Sequence, residues 1–246
     1  MNFKIIILLI GIVFLWSCKD GKKTTSDQNP IEISENSAEE IANTFYVLTK
    51  YHNEKFEIKV NEITKNQFNK NDFSKKQDNN ITQLFAENIT QKPDKIILNF
   101  DNHQSKTLAN NEGTPYDENR VHYSYQGYLP TFNAFVVKTN GYENVKLWLF
   151  NKENGKKIEL IGIPFLNPSK KLFYCFDYNP FEDEDTTPEI LPPTYDLYIY
   201  QYHHDKITKL AKIKIAENQE IKEAYWEDND NLKIQTKEKY LHIKIN

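Results

Sequence analysis

The strongest constraint on this chain is a strand-length run that is apolar on both sides. In Lys146-Leu-Trp-Leu-Phe150 an extended backbone points successive side chains in opposite directions, so Leu147 and Leu149 oppose Trp148 and Phe150. Neither side can face water without exposing large apolar groups. The run therefore asks for a covering layer above and another below, which a single open sheet cannot supply. Its surroundings are of the same kind. Runs rich in Ile, Val, Phe and Tyr at 96–100, 121–126, 132–138, 145–150, 156–160, 172–176, 195–202 and 207–215 read as strands, separated by polar segments such as Gly113-Thr-Pro115 and Leu129-Pro130. Asn154-Gly155 offers positive φ for a bulged hairpin turn between two of them. Three last runs, at 221–226, 232–236 and 240–245, are joined by Asp228-Asn-Asp-Asn231 and Lys237-Glu-Lys239, which predicts a three-stranded antiparallel meander at the C-terminus. The fold class that follows is mainly β: antiparallel meanders forming stacked sheets, as a sandwich or a partial propeller-like arrangement. With fifteen Tyr and fifteen Phe, the core should be aromatic and β-branched.

The N-terminal third reads less clearly. Residues 56–63 alternate apolar and polar as a strand with one wet face does. Ser37-Ala-Glu-Glu40 has capping-box spacing, and Ala38, Ile41, Phe45 and Leu48 share a helical face, yet Thr44-Phe-Tyr-Val-Leu48 is also a good strand former. Both readings stay open, and minor helix is expected in this third. Residues 65–92 are rich in Asn, Lys and Gln, with short amphipathic pieces around Phe68 and Leu84-Phe85.

At the N-terminus, Lys4 precedes an apolar run from 5 to 15 broken only by Gly11. The run is too short to span a bilayer, which takes ~20 apolar residues, but suits the hydrophobic region of a signal peptide. Leu15-Trp16-Ser17-Cys18 follows, which resembles the lipobox of bacterial lipoproteins, with Trp16 departing from the commonest pattern. The resemblance implies cleavage before Cys18, several acyl chains (palmitate among them) on that cysteine, and durable attachment to a membrane. The expected organisation is a signal peptide at 1–17, a lipidated cysteine and polar tether at 18–36, and a single β-rich domain at 37–246 with a possible subdivision near 93–120. The expected location is the bacterial cell envelope, lipid-anchored at the outer membrane on its periplasmic or surface face. With Cys18 acylated, Cys175 has no intramolecular partner, and in Leu172-Phe-Tyr-Cys-Phe176 it reads as a small buried strand residue rather than a nucleophile.

Two segments share a faint pattern. Leu147-Trp-Leu-Phe150, a turn with Gly155, Leu160 and then Pro164-Phe-Leu-Asn-Pro-Ser-Lys-Lys-Leu-Phe-Tyr174 resemble a blade of the periplasmic β-propellers of the Tol system, with Ser169-Lys170 in place of the expected Asp-Gly turn. A weaker copy runs through Leu197-Tyr-Ile-Tyr200, Leu210 and Tyr225-Trp-Glu-Asp-Asn-Asp-Asn-Leu-Lys-Ile234. Two partial copies fall short of the ~4 to 8 blades of a closed propeller. From Tyr123 to Ser169 the chain also resembles uncharacterised lipoproteins of Bacteroidetes, a likeness that brings no activity with it.

Chemistry-bearing candidates are few. The formal net charge is −4 and lysines are spread along the chain, so a nucleic-acid partner is not expected. Glu182, Asp183, Glu184 and Asp185 form an acidic run that suits a Ca²⁺ loop in principle but a solvated loop tip better. Asp228-Asn-Asp-Asn231 begins like a calcium loop, but Leu232 stands where the next oxygen ligand belongs, so it reads as a turn. His203-His204-Asp205 reads as a hairpin turn, because neighbouring strand residues face opposite ways. No metal or other cofactor is expected. Tyr198, Tyr200 and Tyr202 fall on one face of a strand, either as a ligand-stacking row or as core between sheets. No Walker loop, dinucleotide fingerprint or nucleophile elbow occurs. The expectation is a non-enzymatic binding module for a protein or glycan partner. The alternatives are a glycan-active hydrolase using an Asp/Glu pair, which needs no sequence spacing, and a lipoprotein that neutralises an incoming toxin.

Overall fold

A computed structural model of the chain describes residues 38–42 (backbone only), 46–51, 56–68, 81–114, 116–142, 145–180, 190, 193–203 and 206–246. In chain order the strands are β1 (Ala38–Ala42), β2 (Tyr46–Tyr51), β3 (Ile58–Glu62), β4 (Ile89–Lys92), β5 (Lys95–Asn99), β6 (Ser105–Ala109), β7 (Val121–Leu129), β8 (Ala134–Gly141), β9 (Val145–Asn151), β10 (Lys157–Leu160), β11 (Phe165–Leu166), β12 (Leu172–Asn179), β13 (Thr194–His203), β14 (Lys206–Ala216), β15 (Ile221–Trp226), β16 (Asn231–Thr236) and β17 (Tyr240–Ile245). A single α-helical turn, α1 (Lys65–Phe68), is the one α-helix among the described residues.

The strands form four antiparallel sheets. Sheet I is β4-β5-β6, sheet II is β10-β9-β8-β7, sheet III is β1-β2-β14-β13-β12-β11 and sheet IV is β15-β16-β17-β3. The chain thus makes one meander after another, and its early strands return to the last two. β2 pairs with β14, and β3 pairs with β17, placing Ile58 opposite Ile245. The region whose spacing allows a helix forms the β1–β2 hairpin instead. Alternation explains the outcome for β2: Tyr46 and Leu48 point together into the core against β14, and sheet pairing outweighs the local capping-box signal.

Successive sheets pack face to face. Ile96, Leu98 and Leu108 of sheet I meet Phe135, Val137 and Phe150 of sheet II. The opposite face of sheet II, with Val136, Leu147 and Leu149, meets Phe173, Cys175, Tyr198 and Tyr200 of sheet III. The other face of sheet III, with Leu48, Leu197, Ile199 and Ile213, meets Leu232, Ile234, Leu241 and Ile243 of sheet IV. β9 therefore has the two covering layers its sequence asks for, Leu147 and Leu149 toward sheet III and Trp148 and Phe150 toward sheet I. Each fully buried Leu or Ile in these layers contributes ~1.5–3 kcal/mol of transfer free energy. The outer face of sheet IV takes α1: Phe68 sits against Tyr225 and Tyr240, each at 5.2 Å, and the Lys233 ammonium donates to Gln67 O (2.8 Å) and pairs with Glu227 (2.9 Å).

The two similar segments occupy equivalent places. Each supplies the third and fourth strands of one meander, then the first and second of the next: β9 to β12 in one case and β13 to β16 in the other. In each hairpin turn one side-chain oxygen accepts two backbone N–H groups, four and five residues on in the first and two and three residues on in the second. Asn167 Oδ1 accepts from the N–H of Lys171 and Leu172, Asp228 Oδ1 accepts from those of Asp230 and Asn231, and Asn167 Nδ2 donates to Asn229 O (2.6 Å), tying turn to turn. No helix among the described residues is long and apolar enough to cross a membrane.

Candidate functional site

β11 is two residues long and pairs only with Phe173 and Tyr174, whereas β12 runs on to Asn179. The far half of β12 thus extends beyond the strand that covers its edge. Across from it stands β15, the edge strand of sheet IV. Between the two lies a groove of about 620 Å³, with Phe165, Phe176, Tyr178 and Tyr195 on one wall and Ile221, Lys222, Glu223 and Ala224 on the other.

Its floor is rigid. Tyr174 is 1% exposed, stacks on Phe165 with ring centroids 5.0 Å apart, and donates its hydroxyl to Ala224 O at 2.8 Å. Trp226 Nε1 donates to Phe165 O at 2.9 Å, so both sheet edges are pinned to one another by side-chain hydrogen bonds. At one end the linker after β10 crosses close to β12: a Cβ on Gly162 would lie 2.5 Å from Phe176 O, so that crossing needs glycine. The rim is open and apolar, with Val145 54% and Tyr178 46% exposed on the groove and Ile163 40% exposed beside it.

Charge borders the groove at Asp177, which follows Cys175 on the face of β12 toward sheet II, opposite to Phe176 and Tyr178. Burial raises its pKa, and the Asp196 carboxylate, directly opposite it in the β12–β13 register, raises it further against the opposing pull of Lys212. Asp196 itself is 1% exposed and fully engaged: Lys212 Nζ lies at 2.8 Å, Thr194 Oγ1 donates at 2.8 Å and the Tyr198 hydroxyl donates at 3.4 Å. On the rim the Tyr178 hydroxyl donates to Glu217 (2.9 Å), which raises the tyrosine pKa. Glu223 stands on the opposite wall. The arrangement can take an apolar or aromatic ligand along the groove and present it one partly buried carboxyl that holds its proton more tightly than usual.

The tyrosine row lies elsewhere. Tyr198 and Tyr200 are 7% and 6% exposed, between sheets II and III, and Tyr200 stacks on Phe173 at 5.0 Å; Tyr202 is half-buried against Phe132 at 4.5 Å. All three do share a face, but sheet II covers Tyr198 and Tyr200 on it, and only Tyr202, at the end of the strand, stays partly open. Cys175 is fully buried on the same face, and burial pushes its thiol pKa far up, as suits an inert core residue. β13 ends at His203, which pairs with Lys206, as the hairpin reading requires. Asp228 accepts its own turn's N–H groups and the Asn231 amide. Cys18 and the acidic run Glu182, Asp183, Glu184 and Asp185 lie outside the described residues, as do His204 and Asp205. Among the described residues no group of three or more His, Cys, Asp and Glu could hold a metal ion.

The groove residues escape a sequence reading because they come from separate strands and each looks like ordinary strand sequence. One signal was available: Phe176 to Tyr178 continues the apolar alternation of β12 with an acid in it, Asp177, an unusual residue for a strand running between two sheets. No family model matches this chain, and no curated protein does.

Proposed function

We propose that the chain is a non-enzymatic binding module of the bacterial envelope, held at the outer membrane by lipid on Cys18, whose aromatic groove takes an extended, apolar-rich segment of a partner protein. The observation that carries this reading is the groove itself, an apolar trough with a rigid floor flanked by two sheet edges. An incoming extended segment finds main-chain groups on the edges and aromatic walls for its alternate side chains, the general logic of strand addition. An open rim holding several large apolar side chains is the kind of surface that marks interaction sites. Support for the anchor comes from the order of charge, apolar run, small residue and cysteine at the N-terminus.

Two measurements test the two halves. A clickable fatty acid should label the full chain in cells and fail to label Cys18→Ala; an unlabelled wild type sinks the anchor. A photo-crosslinking amino acid at Val145 or Tyr178 should trap a discrete partner that one at Tyr116, 83% exposed and away from the groove, does not trap. Identical adducts from all three positions, or none from the groove, sink the binding reading.

One observation favours a second reading, a glycan-active hydrolase. Asp177 has a raised pKa and shares a groove with Glu223, and acids of that kind can donate a proton to a leaving group. Hydrolysis of a polysaccharide by the full chain that disappears in both Asp177→Asn and Glu223→Gln would establish it and displace the binding module.

A further inference from the structure

Sheet I covers only part of sheet II, and the uncovered part is a polar shelf with aromatic sides. Register brings Tyr123, Thr139 and Lys146 into one row across β7, β8 and β9, with Trp148 and Glu159 opposite each other in the neighbouring strands. They line a recess of about 450 Å³ with Arg120 and Tyr142 at its mouth. Its floor is fixed: Glu159 accepts from Lys146 Nζ (2.5 Å) and Trp148 Nε1 (3.1 Å). Burial works against ionising Glu159, but those bonds and the Lys157 charge outweigh it and hold its pKa below the usual carboxylate range. Tyr123 leans on Trp148 at 5.4 Å, and Tyr142 is 40% exposed.

Arg120 is the chain's one arginine among 31 Lys and Arg residues. Its backbone is held firmly, its N–H donating to Asp117 O (2.9 Å) and the adjoining Asn119 O accepting from Asn111 Nδ2 (2.9 Å). Its guanidinium, by contrast, makes no hydrogen bond or ion pair among the described residues. A protein that uses lysine at every other cationic position, and places a guanidinium at the mouth of an aromatic recess, has there the one side chain that grips a carboxylate with two parallel N–H donors. Glu118 on the same rim and the ionised Glu159 balance Arg120 and Lys146, so the recess suits a singly charged group with hydroxyls beside it better than a dianion. Tyr123 and Tyr142 offer ring faces to the apolar side of a sugar.

We propose that this shelf binds a carboxylate-bearing saccharide, with Arg120 on the carboxylate and the tyrosine rings against the sugar. The site is separate from the aromatic groove and stands whether or not Cys18 is lipidated.

Calorimetry on the full chain in detergent tests it with three probes: a galacturonate trisaccharide, its neutral methyl ester, and tricarballylate, which carries carboxylates but no ring. The trisaccharide should bind, the methyl ester at least about tenfold more weakly, the loss expected when one charge-assisted pair is removed, and tricarballylate at least about tenfold more weakly for want of a ring to stack on the tyrosines. Arg120→Lys, at an exposed position, and Tyr142→Ala should each weaken it several-fold with an unchanged circular dichroism spectrum, while Tyr178→Ala in the groove should leave it unaltered. The proposal is overturned if the trisaccharide fails to bind, if the ester or tricarballylate binds equally well, or if Arg120→Lys binds as the wild type does.

Discussion

The two faces of sheet III are made by the same strands and stabilised differently. Toward sheet IV the face is continuously apolar, from Tyr46 and Leu48 through Leu197 and Ile199 to Ile213 and Ile215. Toward sheet II it is apolar for half its length, at Phe173, Cys175, Tyr198 and Tyr200, and then becomes charged, with Asp177 and Asp196 side by side, Lys212 bridged to Asp196, and Lys214 opposite Asp196 in the β13–β14 register. Apolar packing tolerates small errors, because any well-filled arrangement removes area from water. A buried carboxylate has no such latitude, since losing one partner leaves a charge in a medium that cannot solvate it. The contrast predicts that neighbouring residues on β13 fail in different ways.

The largest effect is expected at Asp196. Asp196→Ala removes a carboxylate that is 1% exposed and lies 2.8 Å from the Lys212 ammonium, and should cost about 3–5 kcal/mol. Replacing both, Asp196→Leu with Lys212→Met, should recover most of that loss, because the pair then becomes an extension of the apolar half. Urea unfolding followed by tryptophan fluorescence measures both. If the double variant is no more stable than the single one, the charged half is not held by this pair.

One residue along, Leu197 points to the other face and is fully buried. Leu197→Ala should cost slightly less, about 2–5 kcal/mol by loss of buried area and cavity formation. It should show the same loss at pH 5 and pH 8, since its neighbours on that face are apolar side chains and Tyr174, whose pKa burial raises. A pH-dependent loss would mean that the two faces are coupled through the strand.

The same contrast explains how far the fold could be read in advance. Alternation finds β3, β5, β7 to β10 and β12 to β17 because each has several apolar side chains on a packed face. β6 escapes because Ser105-Lys-Thr-Leu-Ala109 turns only Leu108 inward, and β11 because two residues carry no period. The β1–β2 hairpin is misleading locally, since Ser37 and Glu40 have the spacing of a helix start, while the pairing with β14 that decides it lies more than 150 residues on. Tyr198 and Tyr200 show the limit from the other side: their common face is plain in the sequence, but what covers that face depends on where sheet II folds. Asp177 and Asp196 are brought together by register alone. The single arginine, by contrast, is visible in the sequence; what the structure adds is the aromatic recess beside it.

The smallest effect, and the one that separates the two halves of that face most cleanly, is expected at Asp177. Its folded pKa is raised, by burial first and by Asp196 second, so the folded protein holds this proton more tightly than the unfolded chain, whose carboxyl titrates near ~3.9. The stability the group contributes is therefore fully present below the unfolded value and is lost as pH rises through the folded one. In the wild type the Asp177 and Asp196 carboxyls stand side by side, and Lys212 is bridged to Asp196. Asp177→Asn keeps an acceptor oxygen for the Tyr178 N–H and removes the second charge, so it should melt slightly above wild type at pH 7, and the two should converge as pH falls toward ~4. Asp177 is only half-buried and solvent screens it, so the gain stays under the ~2–4 °C that ~1 kcal/mol produces in a chain of this size. A melting-temperature gap that stays constant from pH 4 to pH 8, or that favours the wild type at pH 7, would show that Asp177 and Asp196 do not repel and that the charged half of sheet III is balanced by groups other than Lys212.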